Sequence, residues 1–293
     1  MDRSEIIYNP TAGEGGHTAE KVIAHFLEQG MEVSLSPTDD PQWKDSMDGP
    51  FKSIIVAGGD GTVHKVAVEI LERNQNLPMR VFPLGTANNI AKVLEGIQKD
   101  LQLGPTEGLP FDVGEIQGGK ENRYFIESLG FGLFPKFVKA IKNEDDKERI
   151  KRDKEEILKI FLDIVEDYSP QRSSIRLEGL KIKGKFLLVE LLNINYLGPN
   201  LNLSPESVPN DGYFELCMVP GHMKEEFKAF LTQALLGGPA PGDRGGPFLR
   251  LPCKTLKIKS KDTNFHIDDG IMDYSGDTIK IKVLKGRLNF LLS

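Results

Sequence analysis

Two cysteines and one tryptophan are all that the 293 residues contain of either type. So few thiols exclude a disulfide framework. Cys217 and Cys253 each lie in a strand-like run and read as reduced, buried thiols. Long apolar runs are also missing: the longest, Phe186 to Leu192, is broken by Glu190 and is far too short to cross a bilayer. Strand-like Ile6-Ile7-Tyr8 follows only a few polar residues, which leaves no room for a signal peptide, so a cytoplasmic protein is expected. Neither charge sign dominates. Lys and Arg number 37 against 43 Asp and Glu, a formal net charge of -6, and the two signs are interleaved. No global field then recruits nucleic acid, which is not expected as a partner, and no strong basic patch is evident for a membrane. The five histidines are scattered, with no Gly-x-Ser-x-Gly elbow, which disfavours a hydrolase. Gly-x4-Gly-Lys-Ser/Thr is absent as well, which excludes a P-loop enzyme.

What is present centres on Gly58-Gly59-Asp60-Gly61-Thr62. Before it, Phe51 to Ala57 is short, apolar and β-branched and reads as a buried strand. After it, Thr62 reads as an N-cap. The helix from Val63 to Leu71 then places Val63, Val66, Ala67, Ile70 and Leu71 on one face. Strand, glycine turn and helix together aim backbone N–H groups and a positive helix end at one point, which suits a phosphate. The three glycines permit φ > 0 and a close backbone approach to a ligand. Asp60 is the odd member: a carboxylate facing an anion makes sense with a metal or a proton to handle.

The same rhythm fills the first third of the chain. Ile6-Ile7-Tyr8 leads into Asn9 to Gly16 and a helix striped by Val22, Ile23, Phe26 and Leu27. Met31 to Ser36 alternates as a strand before the polar loop Pro37 to Asp40. Arg80 to Pro83 runs into Leu84 to Asn89 and a helix carrying Ile90, Ala91, Val93 and Leu94. Strands alternating with helices at short spacing mean a parallel sheet covered on both faces. Three successive strand ends, at 9–16, 58–62 and 84–89, carry loops rich in Gly, Thr and Asn, on the edge where open α/β sheets bind ligands.

After about Leu109 the pattern becomes all-β. Strands are expected at Phe111–Gln117, Tyr124–Leu129, Ser174–Leu180, Phe186–Asn195, Gly212–Val219, Leu251–Ser260, Thr263–Ile267 and Thr278–Leu284, as an antiparallel sandwich. One helical pattern interrupts them, from about Glu148 to Tyr168, and its charged face reads as solvated. Gly237 to Pro247, almost all Gly and Pro, reads as a flexible loop. His266, Asp268 and Asp269 sit close in sequence, but strand alternation separates Asp269 from the other two, against a metal cluster.

Three segments together resemble the catalytic family of diacylglycerol, sphingosine and related lipid kinases: Asn9-Pro10-x-x-Gly13, Gly58-Gly59-Asp60-Gly61-Thr62 and Pro83-x-Gly85-Thr86-x-Asn88. Weaker matches follow at Phe111 to Gly114, Tyr124 to Ile126 with Gly130 to Gly132, Pro209 to Gly212, and Asp269-Gly270. The resemblance implies an α/β + all-β protein: an N-terminal α/β nucleotide-binding domain with a parallel sheet over 1–109, to which 285–293 returns, and a C-terminal antiparallel β-sandwich that binds lipid over 110–284. It implies transfer of the ATP γ-phosphoryl group to a lipid hydroxyl, with Mg²⁺, at a membrane surface contacted peripherally. A homodimer stays open. Around the nucleotide it implies Asn9, Gly13, Thr38, Gly58, Gly59, Asp60, Gly61, Thr62, Gly85, Thr86 and Asn88. Asp60 and Asp269 would be catalytic, Asp269 taking the lipid proton, and Asp211 would bind magnesium. The chemistry suits these residue types, because phosphoryl transfer needs mainly positioning and charge neutralisation. A lipid substrate further implies an apolar pocket, for which Phe131, Leu133, Phe134 and Phe137 are candidates beside their default role as core.

The chain also departs from that pattern. It carries His64 and Lys65 where the family usually has Asn and Glu, Asn88-Asn89 for Asn-Asp, Leu133 or Phe134 for an Asp, and Asp269-Gly270-Ile271 for Asp-Gly-Glu. Two other readings follow: a nucleotide-binding homologue with impaired catalysis, and an NAD or small-metabolite kinase sharing the Gly-Gly-Asp-Gly loop.

Overall fold

The computed structural model describes residues 3–13, 15–104, 107–117, 123–143, 153–236 and 246–292. Glu14, the start of the long helix expected from Glu148, and most of the glycine- and proline-rich loop lie outside these residues. The chain divides into two compact units, Met1–Phe111 with Gly286–Ser293, and Asp112–Lys285.

In the first unit, strands β1 (Arg3–Tyr8), β2 (Glu32–Pro37), β3 (Ser53–Gly58) and β4 (Met79–Pro83) form a parallel sheet in the order β2-β1-β3-β4. The chain end returns beside β4, with Phe290 opposite Met79. Every residue of β3 is buried, so the unbroken run Ile54-Ile55-Val56-Ala57 serves a sheet covered on both faces. Helix α1 (Ala19–Glu28) lays Val22 and Phe26 on Ile6, Tyr8, Ile55 and Ala57. Helix α2 (Asp60–Glu72) buries Val63, Val66, Ala67 and Ile70, and α3 (Asn89–Leu101) buries Ile90, Ala91, Val93 and Leu94. The segment after the 37–40 loop is a 3-10 helix, Pro41–Asp48, anchored by buried Trp43 and Met47. Asp40 caps it, accepting from the Gln42 N–H at 2.9 Å.

The second unit is antiparallel. Its strands are β5 (Gly108–Gln117, entering from the first unit), β6 (Arg123–Phe125), β7 (Ser128–Gly132), β8 (Gln171–Leu177), β9 (Leu180–Leu192), β10 (Tyr196–Leu197), β11 (Leu201–Asn202), β12 (Phe214–Pro220), β13 (Leu249–Cys253), β14 (Thr255–Ser260), β15 (Asn264–Ile267), β16 (Gly270–Asp273) and β17 (Ile279–Leu291). Where one strand was expected over Leu251–Ser260 there are two, β13 and β14. Tyr124–Leu129 is likewise divided, because Ile126 and Glu127 turn their N–H groups to a side chain described below.

Helices are the larger correction. Among the described residues three pack in this unit rather than one: α4 (Leu133–Lys142), α5 (Lys154–Asp167) and α6 (Lys224–Leu236). They cover one sheet face, so β9 is buried on both sides from Phe186 to Leu192. Val189 and Leu191 join the core with Phe131, Phe214 and Phe265, while Leu188 and Leu192 face the helices. The aromatic residues considered for a lipid pocket are therefore divided: Phe131 stacks on Phe265 in one core, and Phe134 and Phe137 lie in the other, where Phe137 stacks on Phe161. Leu133 joins Phe134 and Phe137, so only Phe131 is set apart from the other three.

Candidate active site

Because β1, β3 and β4 are parallel neighbours, the three loops that follow them meet at one edge, and they meet closely. A Cβ on Gly85 would lie 2.6 Å from the Gly59 Cα, and one on Gly13, whose φ is +58, would lie 2.1 Å from the Leu84 carbonyl oxygen. Asn9 Nδ2 donates to Thr62 Oγ1 at 3.0 Å, while its Oδ1 accepts from the Thr11 N–H at 3.1 Å. Asn88 closes the third loop, its Oδ1 accepting from the Gly85 N–H at 2.9 Å and its Nδ2 donating to the Gly85 carbonyl at 2.8 Å. The Thr38 N–H donates to the Tyr8 carbonyl at 2.7 Å, which brings Thr38 to the same edge. Asn9, Gly13, Thr38, Gly58 to Thr62, Gly85, Thr86 and Asn88 are thus gathered together. His17 braces the first loop and was not foreseen: Nε2 donates to the Ala12 carbonyl at 2.7 Å, leaving Nδ1 to accept the Tyr8 hydroxyl at 2.9 Å.

Two local expectations need correction. Helix α2 starts at Asp60, with Gly59 as its N-cap and no side-chain cap. Thr62 is not the cap; it sits buried in the first turn, with its hydroxyl taken by Asn9. The helix begins earlier because the Gly59 carbonyl already accepts from the N–H groups of Thr62 (2.8 Å) and Val63 (3.1 Å). Nor do Gly58, Gly59 or Gly61 adopt a positive φ. What Gly59 supplies is close approach, and the neighbour it admits is Gly85.

Asp60 also has partners the sequence did not suggest. Its Oδ2 accepts from the Asn89 N–H at 2.9 Å and its Oδ1 from the Ile90 N–H at 3.0 Å. A carboxylate from the start of α2 therefore serves the start of α3. The consequence is selective: α3 has its first N–H groups and its dipole answered by a protein anion, whereas α2 has no side-chain cap. Of the three helix starts at this edge, α1 is capped by Thr18 and α3 by Asp60, so α2 is the one suited to a ligand anion, and Gly59, Asp60 and Gly61 are only half-buried.

In the second unit, Asp211 is exposed and its Oδ1 accepts from the Tyr213 N–H at 2.7 Å. Buried Asp112 braces the same turn, accepting from the Gly212 N–H at 2.6 Å. Nearby Glu215 has its carboxyl pushed up to about 7 by burial and by the charges of Glu206 and Asp211. That negative field fits a cation. Among the described residues no three acidic, His or Cys side chains converge, so backbone carbonyls and water would complete a Mg²⁺ shell with Asp211.

Asp269 is exposed, and its carbonyl accepts from Lys142 Nζ at 2.7 Å. Its neighbour Asp268 is buried in a left-handed conformation, φ 48, and accepts three backbone N–H groups, from Ile126 (3.0 Å), Glu127 (2.9 Å) and Ser128 (2.9 Å). Asp268 clamps the turn that presents Asp269. His266 extends the clamp: Nδ1 bonds to the Asp268 carbonyl at 2.8 Å and Nε2 to Glu190 Oε2 at 2.7 Å, with both side chains fully buried. They reach each other across β7 because Gly130 lies between them in register and has no side chain; a Cβ there would sit 2.0 Å from Glu190 Oε2. Burial raises the Glu190 carboxyl. The Glu190 charge and the two hydrogen bonds outweigh burial and raise His266. A signal for this pair was present in the acid at the centre of an apolar run, and its partner followed only from strand register.

Residues 3–108 match the family model described as the diacylglycerol kinase catalytic domain, which bears out the resemblance drawn from the loops. A diacylglycerol kinase of Bacillus subtilis (strain 168) is 28% identical over 253 residues, covering 81% of this chain and 80% of that protein. A protein named probable lipid kinase YegS-like, of Alcanivorax borkumensis, is 26% identical over 291 residues, covering 94% and 92%. The crystal structure of a diacylglycerol kinase from Bacillus anthracis str. Sterne shares the fold with a TM-score of 0.69 at 16% identity, over 100% of this chain and 97% of that one. An NAD kinase from Archaeoglobus fulgidus, in complex with ATP, gives a TM-score of 0.51 at 10% identity over 99% and 93%. The expected fold class, an α/β domain with a parallel sheet followed by an antiparallel one, stands. No helix among the described residues is long and apolar enough to cross a membrane.

Proposed function

We propose that this chain, whose residues 3–108 match the diacylglycerol kinase catalytic domain, is a lipid kinase that transfers the ATP γ-phosphoryl group to the hydroxyl of a diacylglycerol-like lipid. The observation that carries the reading is the start of α2: a half-buried glycine turn with no side-chain cap, bound to two further strand-end loops, in a segment that matches a kinase family. Backbone N–H groups there hold the phosphates, and Asn9, Gly13, Thr38, Gly85, Thr86 and Asn88 shape and line the nucleotide site. Asp60 acts as a positioning residue, since its carboxylate fixes the α3 loop against the glycine turn. Mg²⁺, when bound, neutralises phosphate charge, and Asp211 would hold it in the acidic surroundings that raise Glu215. Asp269 accepts the proton of the lipid hydroxyl, a step typically contributing ~10²–10⁴-fold. The second unit presents the lipid.

The test incubates the protein with γ-labelled ATP, Mg²⁺ and mixed micelles of diacylglycerol, phosphatidylglycerol, sphingosine and ceramide. Label is expected in one lipid and lost in Asp269→Asn. Nucleotide binding without lipid labelling would overturn the kinase reading in favour of a binding protein, and label in NAD would favour an NAD kinase.

A further inference from the structure

The charge of this protein is interleaved along the sequence but not across its second sheet. Strands β8, β9 (first half), β14 and β17 (first half) carry two, three, two and three Lys or Arg residues and no Asp or Glu. Alternation turns Ile175, Leu177, Leu256, Ile258 and Ile281 into the core and leaves the cations outside, except Lys285, which falls on the Ile281 side and donates to the Asp211 carbonyl at 3.3 Å. Pairing then aligns them. Lys181 lies opposite Arg176, Arg176 opposite Lys257, and Lys257 opposite Lys280, a row of four cations on four neighbouring strands about 15 Å wide. Lys185 faces Arg172 in another row, and Lys183 and Lys259 flank Ser174 between them.

Like charges directly opposite one another are destabilising in a sheet. Lys183 and Arg176 accordingly lower the affinity of the Lys181 ammonium for its proton. Among the described residues the carboxylate in ion-pair contact with these strands is Glu115, 2.8 Å from Lys282, and Glu178 sits at the β8–β9 turn, where it accepts from the Lys254 N–H. A groove of about 560 Å³ runs along the row of four, with Arg176, Lys181, Lys257 and Lys280 among its lining residues and Glu178 at its end. Leu180, 49% exposed, stands on the same groove.

We propose that this sheet face docks on an anionic phospholipid bilayer. The charge argument stands by itself; the choice of a lipid surface rests on the lipid-kinase reading above. A broad field of lysine point charges matches a plane of anionic headgroups, where each contributes separately. Sheets that bind single-stranded nucleic acid stack bases on aromatic side chains, and no aromatic residue occupies an outward position on these four strands.

The test is sedimentation of the full-length protein with sucrose-loaded vesicles, of pure phosphatidylcholine or with one third phosphatidylglycerol, at low and high salt. Binding is expected only with phosphatidylglycerol and should fall with salt. Each Lys→Gln change should weaken it about fivefold, so Lys181→Gln with Lys257→Gln and Lys280→Gln should weaken it on the order of a hundredfold. Lys228→Gln, at an α6 lysine paired with Glu166 of α5, should leave it unchanged. Circular dichroism melts of the triple variant should match or exceed the parent, because like-charge repulsion is removed. Equal binding to both vesicle types, or full binding by the triple variant, would overturn the proposal. Displacement of the protein from the vesicles by an equal charge of oligonucleotide would overturn it in favour of a nucleic-acid surface. Vesicle binding by a chain that labels no lipid would sink the kinase reading and leave the docking face standing.

Discussion

Asp60 in the first unit and Asp268 in the second do the same physical work in different surroundings. Each carboxylate accepts backbone N–H groups from a segment distant in sequence, Asp60 from Asn89 and Ile90, Asp268 from Ile126, Glu127 and Ser128. Asp60 is half-buried at an edge suited to ligand, whereas Asp268 is 5% exposed. The difference separates two kinds of motif acid: one whose loss should show mainly in ligand binding, and one whose loss should show mainly in folding. Asp269, one residue on, is exposed and does neither task.

The comparison is broken most easily at the buried end. Asp268→Ala would leave three buried N–H groups without an acceptor and is expected to cost about 3–4 kcal/mol of unfolding free energy in a urea titration. A loss below ~1 kcal/mol would mean that the clamp is not structural. Next comes the pair behind it. His266→Ala, which strands Glu190, should cost about 3 kcal/mol. The pair also sets a pH dependence. Both folded-state values are raised, so the folded protein holds the proton more tightly than the unfolded chain does. The stability contributed by His266 is fully present below its unfolded value of 6.5 and is lost as pH rises through the folded value. Urea midpoints should therefore fall as pH rises, from about 4.5 through Glu190 and from about 6.5 through His266, and Glu190→Gln should flatten that slope.

At the exposed end the effects on folding shrink. Asp60→Ala removes a cap and should cost about 1 kcal/mol in stability, with a larger proportional loss of ATP affinity by calorimetry. Asp60→Asn, which keeps an acceptor, should recover most of the stability. If Asp60→Ala lost stability but bound ATP normally, Asp60 and Asp268 would be the same kind of residue after all.

The loops themselves were legible in the sequence because each signal is local: an apolar run, a glycine cluster, then a 3.6-residue stripe. The partners of those loops were not. Asp60 meets an N–H 29 residues away, and Gly59 answers to Gly85, so composition could show that glycine is required but not by what. The lysine face was hidden in the same way. Lys181, Arg176, Lys257 and Lys280 are spread over four segments, and only strand pairing makes them neighbours, so an interleaved total of -6 conceals a row of four cations. Helix α6 is a different case. Phe227, Phe230, Leu231 and Leu235 are spaced as one helical face, and that pattern was readable amid the strand signals around it.

The central claim, that phosphates bind at the start of α2 while α3 is already answered by Asp60, is tested most directly by amide nuclear magnetic resonance during an ATP titration. The account predicts the largest shifts at the amides of Gly59, Asp60 and Gly61, with those of Asn89 and Ile90 changing little. Large shifts at Asn89 and Ile90 with none at the glycine turn would contradict it.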